Sequence, residues 1–228
     1  MSIFEKWNLE STILDAIKSR GWTSPTEIQA DAIPFARKGR DIVGQAKTGS
    51  GKTAAFGIPI LEKCEKKGIP QSLILCPTRE LAVQVTEEMN LLQGKKGLQI
   101  ISVYGGTDIE KQAKKLSDGC DIVVGTPGRV IDMSKKGHLK LQDISIFCLD
   151  EADRMLDMGF YDDIMKISKE LPVLVSGATG GVGSLAINIL NKLGYTVHAL
   201  TGKTYEEDMI KSMGAIELIN RDKFLEDG

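Results

Sequence analysis

Short runs of β-branched and aliphatic residues recur along the chain, separated by stretches whose apolar positions follow a helical spacing. The strand-like runs are DIVGQ (41–45), SLILC (72–76), QIISVY (99–104), DIVVG (121–125), SIFCLD (145–150), VLVSG (173–177), TVHAL (196–200) and IELIN (216–220). Between them, stretches such as TAAFGIPILEKCEKK and ELAVQVTEEMNLL read as helices. Strands alternating with helices predict a parallel sheet covered on both faces, so the fold class is α/β, a three-layer parallel sheet. Right-handed crossovers then place the loops after the strands along one edge, where open α/β sheets bind their ligands. No internal repeat, low-complexity tract or Pro/Ser-rich linker interrupts the pattern.

Composition changes this picture little. A length of 228 residues suffices for one large α/β domain or two small ones. A net charge of −2 and a pI near 5.8 exclude a broadly basic nucleic-acid coat. They leave room for a local basic track, because a few placed Arg and Lys suffice to hold phosphates. Cys64, Cys76, Cys120 and Cys148 are widely spaced without a CxxC pair, and reduced thiols are expected rather than a disulfide framework or a zinc site. The opening MSIFEKWNLE has no basic region followed by an apolar run, so no signal peptide is expected. The charge-free run 172–191 is broken by glycines and by Ser176, Thr179, Ser184 and Asn188, which predicts a strand, a turn and a helix and no membrane span. The expected location is the cytoplasm.

Two segments carry candidate chemistry. In AKTGSGKT (46–53), Gly49 and Gly51 let the backbone turn so that successive N–H groups point at phosphate oxygens. Lys52 supplies a cation to the β- and γ-phosphates and Thr53 a hydroxyl to Mg²⁺. The general phosphate-loop pattern wants Gly where Ala46 stands. About a hundred residues on, DEAD (150–153) follows the apolar run SIFCL. A carboxylate at a strand end holds the Mg²⁺ of a nucleotide, and a neighbouring one activates water. Asp150 takes the metal role in this reading and Glu151 the base.

With these two segments placed, residues 1 to about 171 resemble the first RecA-like domain of the DEAD-box RNA helicases. That family's phosphate loop accepts Ala at its first position, so the resemblance implies that Ala46, Lys47, Thr48, Gly49, Ser50, Gly51, Lys52 and Thr53 bind ATP with Mg²⁺. GWTSPTEIQ (21–29) resembles the family's adenine-reading motif, with Thr26 and Gln29 in place and Phe4 seventeen residues upstream of its start. The Gln29 amide suits the adenine edge, and Trp22 or Phe4 suits packing on the base. PTRELA (77–82), Gly105–Gly106 and TPGR (126–129) resemble the family's three RNA-backbone motifs. The resemblance assigns RNA contact to Pro77, Thr78, Arg79, Gly105, Gly106, Thr126, Pro127, Gly128 and Arg129. Hydroxyls, guanidinium groups and backbone N–H groups read phosphates and 2′-hydroxyls by shape, without reading sequence.

After about residue 171 the resemblance changes. The family would continue to a strand ending in Ser-Ala-Thr, whereas the chain gives VLVSGATGGVGSLAINILNKLGYTVHALTGK and later MIKSMGAIELINRD. Residues 172 to about 223 resemble the βαβαβ start of the cofactor domain in quinone oxidoreductases of the medium-chain dehydrogenase/reductase family. Gly177, Gly180 and Gly183 match its spaced glycines, although Ala178 stands where a strict GxGxxG wants Gly. Thr201 and Lys203 stand where an acidic residue would hold a ribose, and they suit the 2′-phosphate of NADP.

The chain therefore reads as a chimera. Residues 1–171 are expected to form a RecA-like ATP-binding domain, and 172–228 a partial Rossmann-like segment that completes the same sheet. In that arrangement 173–177 lies between the 145–150 and 41–45 strands, 196–200 crosses to the free edge of 41–45, and the glycine turn opens beside the phosphate loop. ATP would then compete with NADPH. No stretch after DEAD resembles the family's second RecA-like domain, which carries its arginine finger and half of its RNA clamp. The function expected is an ATP-binding, weakly RNA-contacting half-core with weak or absent hydrolysis and no unwinding alone. The alternatives are an NADP-binding reductase-type module, or a structural chimera with neither activity. Reductase catalysis is not expected, because the segment offers nothing to place a hydride acceptor.

Overall fold

The computed structural model describes residues 3–47, 49–176 and 178–220. These fall into two compact units, one within 1–140 and 146–160, the other within 141–145 and 161–228.

The first unit begins with three helices, α1 (Ile3–Lys6), α2 (Ser11–Ser19) and α3 (Glu27–Arg37), and then α4 (Lys52–Lys63). From there strands and helices alternate: β1 (Ser72–Leu75), α5 (Arg79–Leu92), β2 (Ile100–Val103), α6 (Ile109–Ser117), β3 (Ile122–Gly125), α7 (Pro127–Lys135), β4 (Ile146–Leu149) and α8 (Ala152–Asp157). The four strands form a parallel sheet in the order β2-β3-β1-β4. The central strands β1 and β3 are buried at every position, as their unbroken apolar runs require. In α5, Ala82, Val85, Met89 and Leu92 recur at intervals of three and four and form its buried face. They join Ile58 and Leu61 of α4 and Phe4, Ile13 and Ile17 of the first helices in one core. The start of β3 is fixed by buried Asp121, whose carboxylate accepts from the N–H groups of Lys67, Gly68 and Gln99 at 2.7–2.8 Å.

The second unit contains α9 (Tyr161–Glu170), β5 (Pro172–Ser176), α10 (Gly181–Lys192), β6 (Thr196–Thr201), α11 (Glu207–Ser212) and β7 (Ala215–Asn220). Its sheet is parallel, in the order β5-β6-β7, over a small core of Ala178, Ile187, Val197, Ala199, Ile210 and Ala215.

The α/β class and seven of the eight expected strands are present, but the single sheet is not. Strand β5 pairs with β6 in register Pro172↔Thr196 through Ser176↔Leu200, in a sheet separate from β1–β4. Residues 41–45 form no strand and are exposed throughout. The reason is local. A strand needs a partner for its N–H and C=O groups, and the segment expected beside 41–45 pairs instead with β6 along one edge. Among the described residues β4 keeps β1 as its one partner. The crossover of 196–200 to the edge of 41–45 is overturned by the same pairing. The expected closeness of the glycine turn to the phosphate loop, and with it the competition of ATP with NADPH, rested on a shared sheet and loses its basis.

Candidate nucleotide and RNA site

Four loops leave the C-terminal ends of parallel strands and therefore line one edge of the first sheet. In sheet order they are Tyr104–Gly106 after β2, Thr126–Arg129 after β3, Pro77–Arg79 after β1 and Asp150–Glu151 after β4.

The phosphate loop enters α4 through a glycine turn. Gly49 and Gly51 have φ of +78° and +86°, a region that side chains with a Cβ avoid, and Gly51 is the N-cap of α4. Lys52 and Thr53 follow in the first turn, where the helix N-terminus favours anions. Thr48 lies outside the described residues, Ala46 is half-buried and Lys47 exposed. The Ser50 hydroxyl is buried without a hydrogen-bond partner. A buried orphan donor beside N–H groups and Lys52 fits an anionic phosphate, since such a group otherwise carries the cost of desolvation.

Gln29 anchors this turn. Its Nε2 donates to the Gly51 carbonyl at 3.1 Å, and its Oε1 accepts from the Thr26 N–H at 3.0 Å, the return half of a capping box on α3. A Cβ on Gly51 would collide with the Gln29 amide. Phe4 is placed differently from the expectation. It is fully buried in the core, edge-on to Trp7 with ring centroids 5.4 Å apart, so it offers no open face to a base. The aromatic payload of Phe4 has gone into packing. Trp22 is half-buried and carries the Arg20 guanidinium 4.6 Å above its ring.

Asp150 is buried, and its carboxyl is pushed above the usual carboxylate range by that burial; the Lys52 ammonium acts against the shift and the adjacent Glu151 adds to it. A carboxylate held dry at a strand end, with a phosphate-loop lysine close enough to act on it, suits a divalent cation, whose charge reverses the penalty. Glu151 has a φ of +53°, a left-handed conformation that non-glycine residues rarely adopt, and its carboxylate meets Arg154 at 3.2 Å.

The expected RNA residues come together on the other three loops. Thr78 caps α5 by accepting from the Leu81 N–H at 3.3 Å, and Pro77 is buried. Arg79 is exposed and lies 4.9 Å over the Tyr104 ring. Gly105, Gly106 and Gly128 are exposed, while Thr126 is the N-cap of α7 and Pro127 its first residue. Arg129 donates from Nη1 to Gln112 and from Nη2 to the Thr107 carbonyl, both at 3.0 Å. The motif pattern pointed to none of Gln112, Tyr104 and Thr107. Their one sequence signal is position, within eight residues of Gly105–Gly106.

In the second unit Gly177 lies outside the described residues, Gly180 is the N-cap of α10 and Gly183 is buried. Thr201 is buried, and its Oγ1 accepts from the Lys203 N–H at 3.1 Å and lies 3.4 Å from the Thr179 hydroxyl. It therefore caps its own turn and is not open to a 2′-phosphate. The Lys203 ammonium is exposed, 3.7 Å from Glu206. All four cysteines are free thiols, and Cys64, Cys76 and Cys120 are buried. Among the described residues no group of three or more His, Cys, Asp or Glu is placed to hold a metal ion, and no helix is long and apolar enough to cross a membrane.

A strand-end Asp-Glu pair, a glycine turn opening a helix and three phosphate-suited loops on one sheet edge define a P-loop nucleotide-binding domain of the RecA-like kind. The chain belongs to the DEAD/DEAH box helicase family, whose model matches residues 26–183. It is 50% identical over 170 residues to the DEAD-box ATP-dependent RNA helicase CshA of Streptococcus pneumoniae serotype 4, covering 74% of this chain and 32% of that protein. To the ATP-dependent RNA helicase CshA of Listeria monocytogenes it is 46% identical over 173 residues, covering 75% of this chain and 33% of the relative. The chain thus spans about a third of the length of these curated relatives. Among solved structures, it resembles a DEAD box protein from the hyperthermophile Methanococcus jannaschii with a TM-score of 0.68 at 38% identity, over 92% of this chain and 54% of that one. A hypothetical ATP-dependent RNA helicase from Sulfolobus tokodaii follows at 0.66 and 32%, over 92% and 57%.

Proposed function

We propose that this chain is an ATP-binding, RNA-contacting half-core of a DEAD-box RNA helicase, with weak or absent hydrolysis and no unwinding by itself. The observation that carries the reading is the assembly around the phosphate loop: Gln29 bonded to Gly51, the orphan Ser50 hydroxyl, and Lys52 acting on buried Asp150. The residues that would hold ATP are the loop itself, with Thr53 and Asp150 on Mg²⁺. The bound cation would supply charge neutralisation at the phosphates. Glu151, tied to Arg154, is the candidate base for water. RNA contact is assigned to the loops of Arg79, Gly105–Gly106 and Arg129 and is expected to be weak and salt-dependent, because few cations face the strand. In P-loop enzymes loss of an arginine finger lowers turnover by about 10³–10⁵, which is why little hydrolysis is expected of this segment.

A second reading concerns the other unit. The parallel order β5-β6-β7 with α10 opening after a glycine turn is the form of a dinucleotide-binding βαβαβ unit, which supports an NADP-type module fused to the helicase part. The buried, self-capping Thr201 weighs against a 2′-phosphate there. Calorimetric titration with ATP, ADP, AMP and NADPH in the presence of Mg²⁺ separates the two. ATP and ADP binding supports the helicase reading, and NADPH binding alone would replace it with the reductase one.

A further inference from the structure

Gln112, in the first turn of α6, is buried, and its side-chain amide is fully used. Its Oε1 accepts from the Tyr104 N–H at 3.2 Å and from Arg129 Nη1 at 3.0 Å. Its Nε2 donates to the Tyr104 carbonyl at 3.1 Å and to the Thr107 hydroxyl. An amide has two donor hydrogens and two acceptor sites, so nothing is left over. The orientation is fixed as well, because turning the amide round would set donor against donor at Tyr104. Arg129 closes the ring through the Thr107 carbonyl, and the Tyr104 ring lies under the Arg79 guanidinium.

One side chain therefore ties the loops after β2 and β3 together and, through Tyr104, the loop after β1. We propose that Gln112 is a positioning residue for RNA-backbone recognition, holding Arg129, the Gly105–Gly106 turn and the Tyr104 platform of Arg79 in one surface before RNA arrives. The proposal rests on the RNA reading given above. Pre-ordering removes the cost of immobilising two arginines and a turn on binding. A neutral amide suits the task, since it orients a guanidinium without neutralising it. A carboxylate in the same place would compete with the RNA phosphates for Arg129.

The test is fluorescence anisotropy of a labelled single-stranded oligouridylate RNA with the full chain, over a series of salt concentrations. Gln112→Leu is expected to weaken RNA binding about tenfold while leaving ATP affinity unchanged. Combined with Arg129→Ala its effect should be smaller than in the wild-type background, because part of it passes through that guanidinium. Arg129→Ala alone should lower the salt slope by about 0.7, the loss of one single-strand phosphate contact. Gln112→Glu keeps the acceptors for Arg129 and the Tyr104 N–H but loses the donor to the Tyr104 carbonyl, so its urea midpoint is measured alongside. It should weaken RNA binding and flatten the salt dependence by pairing with Arg129. Full additivity of Gln112→Leu with Arg129→Ala, or wild-type RNA affinity in Gln112→Glu, would overturn the positioning role. Wild-type binding that is independent of salt and indifferent to Arg79→Ala and Arg129→Ala would instead overturn the RNA reading itself.

Discussion

Lys52 and Asp150 carry opposite charges in the proposed ATP site, and each makes a separate prediction. Lys52→Ala removes the cation of the phosphate loop and leaves the fold intact. Charge-assisted hydrogen bonds contribute about 1.5–3 kcal/mol, so ATP affinity measured by calorimetry with Mg²⁺ should fall about ten- to a hundredfold. Unchanged ATP and ADP affinities would refute the site. Asp150 has a folded-state pKa raised by burial. Its protonated form is the one that favours folding, so any stability it contributes is present below the ordinary aspartate value of about 3.9 and is lost as pH rises through the raised value. Asp150→Asn should accordingly raise the urea midpoint of the nucleotide-free protein at pH 7, bring no gain below about pH 3.9, and abolish the Mg²⁺-dependent part of ATP binding. A lower midpoint at pH 7 would mean that the carboxylate is stabilised by partners in the folded protein.

At the scale of elements, the loops depend on close strand packing. Gly125 ends β3 where an added Cβ would lie 2.8 Å from the Val103 carbonyl and 2.7–2.8 Å from methyl groups of Val103 and Val130. Gly125→Ala should cost about 1–3 kcal/mol by overpacking in urea denaturation. It should weaken RNA binding more than ATP binding, since β2 and β3 carry two of the loops proposed to contact RNA. Most elements were legible from the sequence because their apolar runs are unambiguous: β1 and β3 are buried at every position. The segment 41–45 has only Ile42 and Val43 as strand-forming residues, beside Asp41, Gly44 and Gln45, and forms no strand. β-propensity expresses fit to a paired, half-buried surface, and 41–45 is exposed and unpaired. Phe4 marks the same limit for a side chain: motif spacing suggested a base-stacking face, and the core claimed the ring.

For the whole molecule, each unit closes its own parallel sheet. Should the second unit bind a dinucleotide, ATP and NADPH should titrate independently, with saturating ATP leaving the NADPH affinity unchanged in calorimetry. Competition would point to a shared site. Phosphate release by the purified chain should be slow with or without RNA, and Glu151→Gln should remove what there is. Robust RNA-stimulated turnover would show that the first unit alone supplies the catalytic charge.

The sequence by itself determined the α/β class, the phosphate-loop turn, the DEAD carboxylates at a strand end and the three loops proposed to contact RNA. Those signals are local: a glycine turn, a capping residue or an apolar run keeps its meaning wherever the chain is packed. Tertiary structure decided the strand partnership of β5, the burial of Phe4 and the bond from Gln29 to Gly51. It also decided the ring of hydrogen bonds around Gln112. Each of these is a choice among partners distant in sequence. A strand has two edges to pair, and which of them finds a partner, as β5 finds β6, is set by the elements that fold around it.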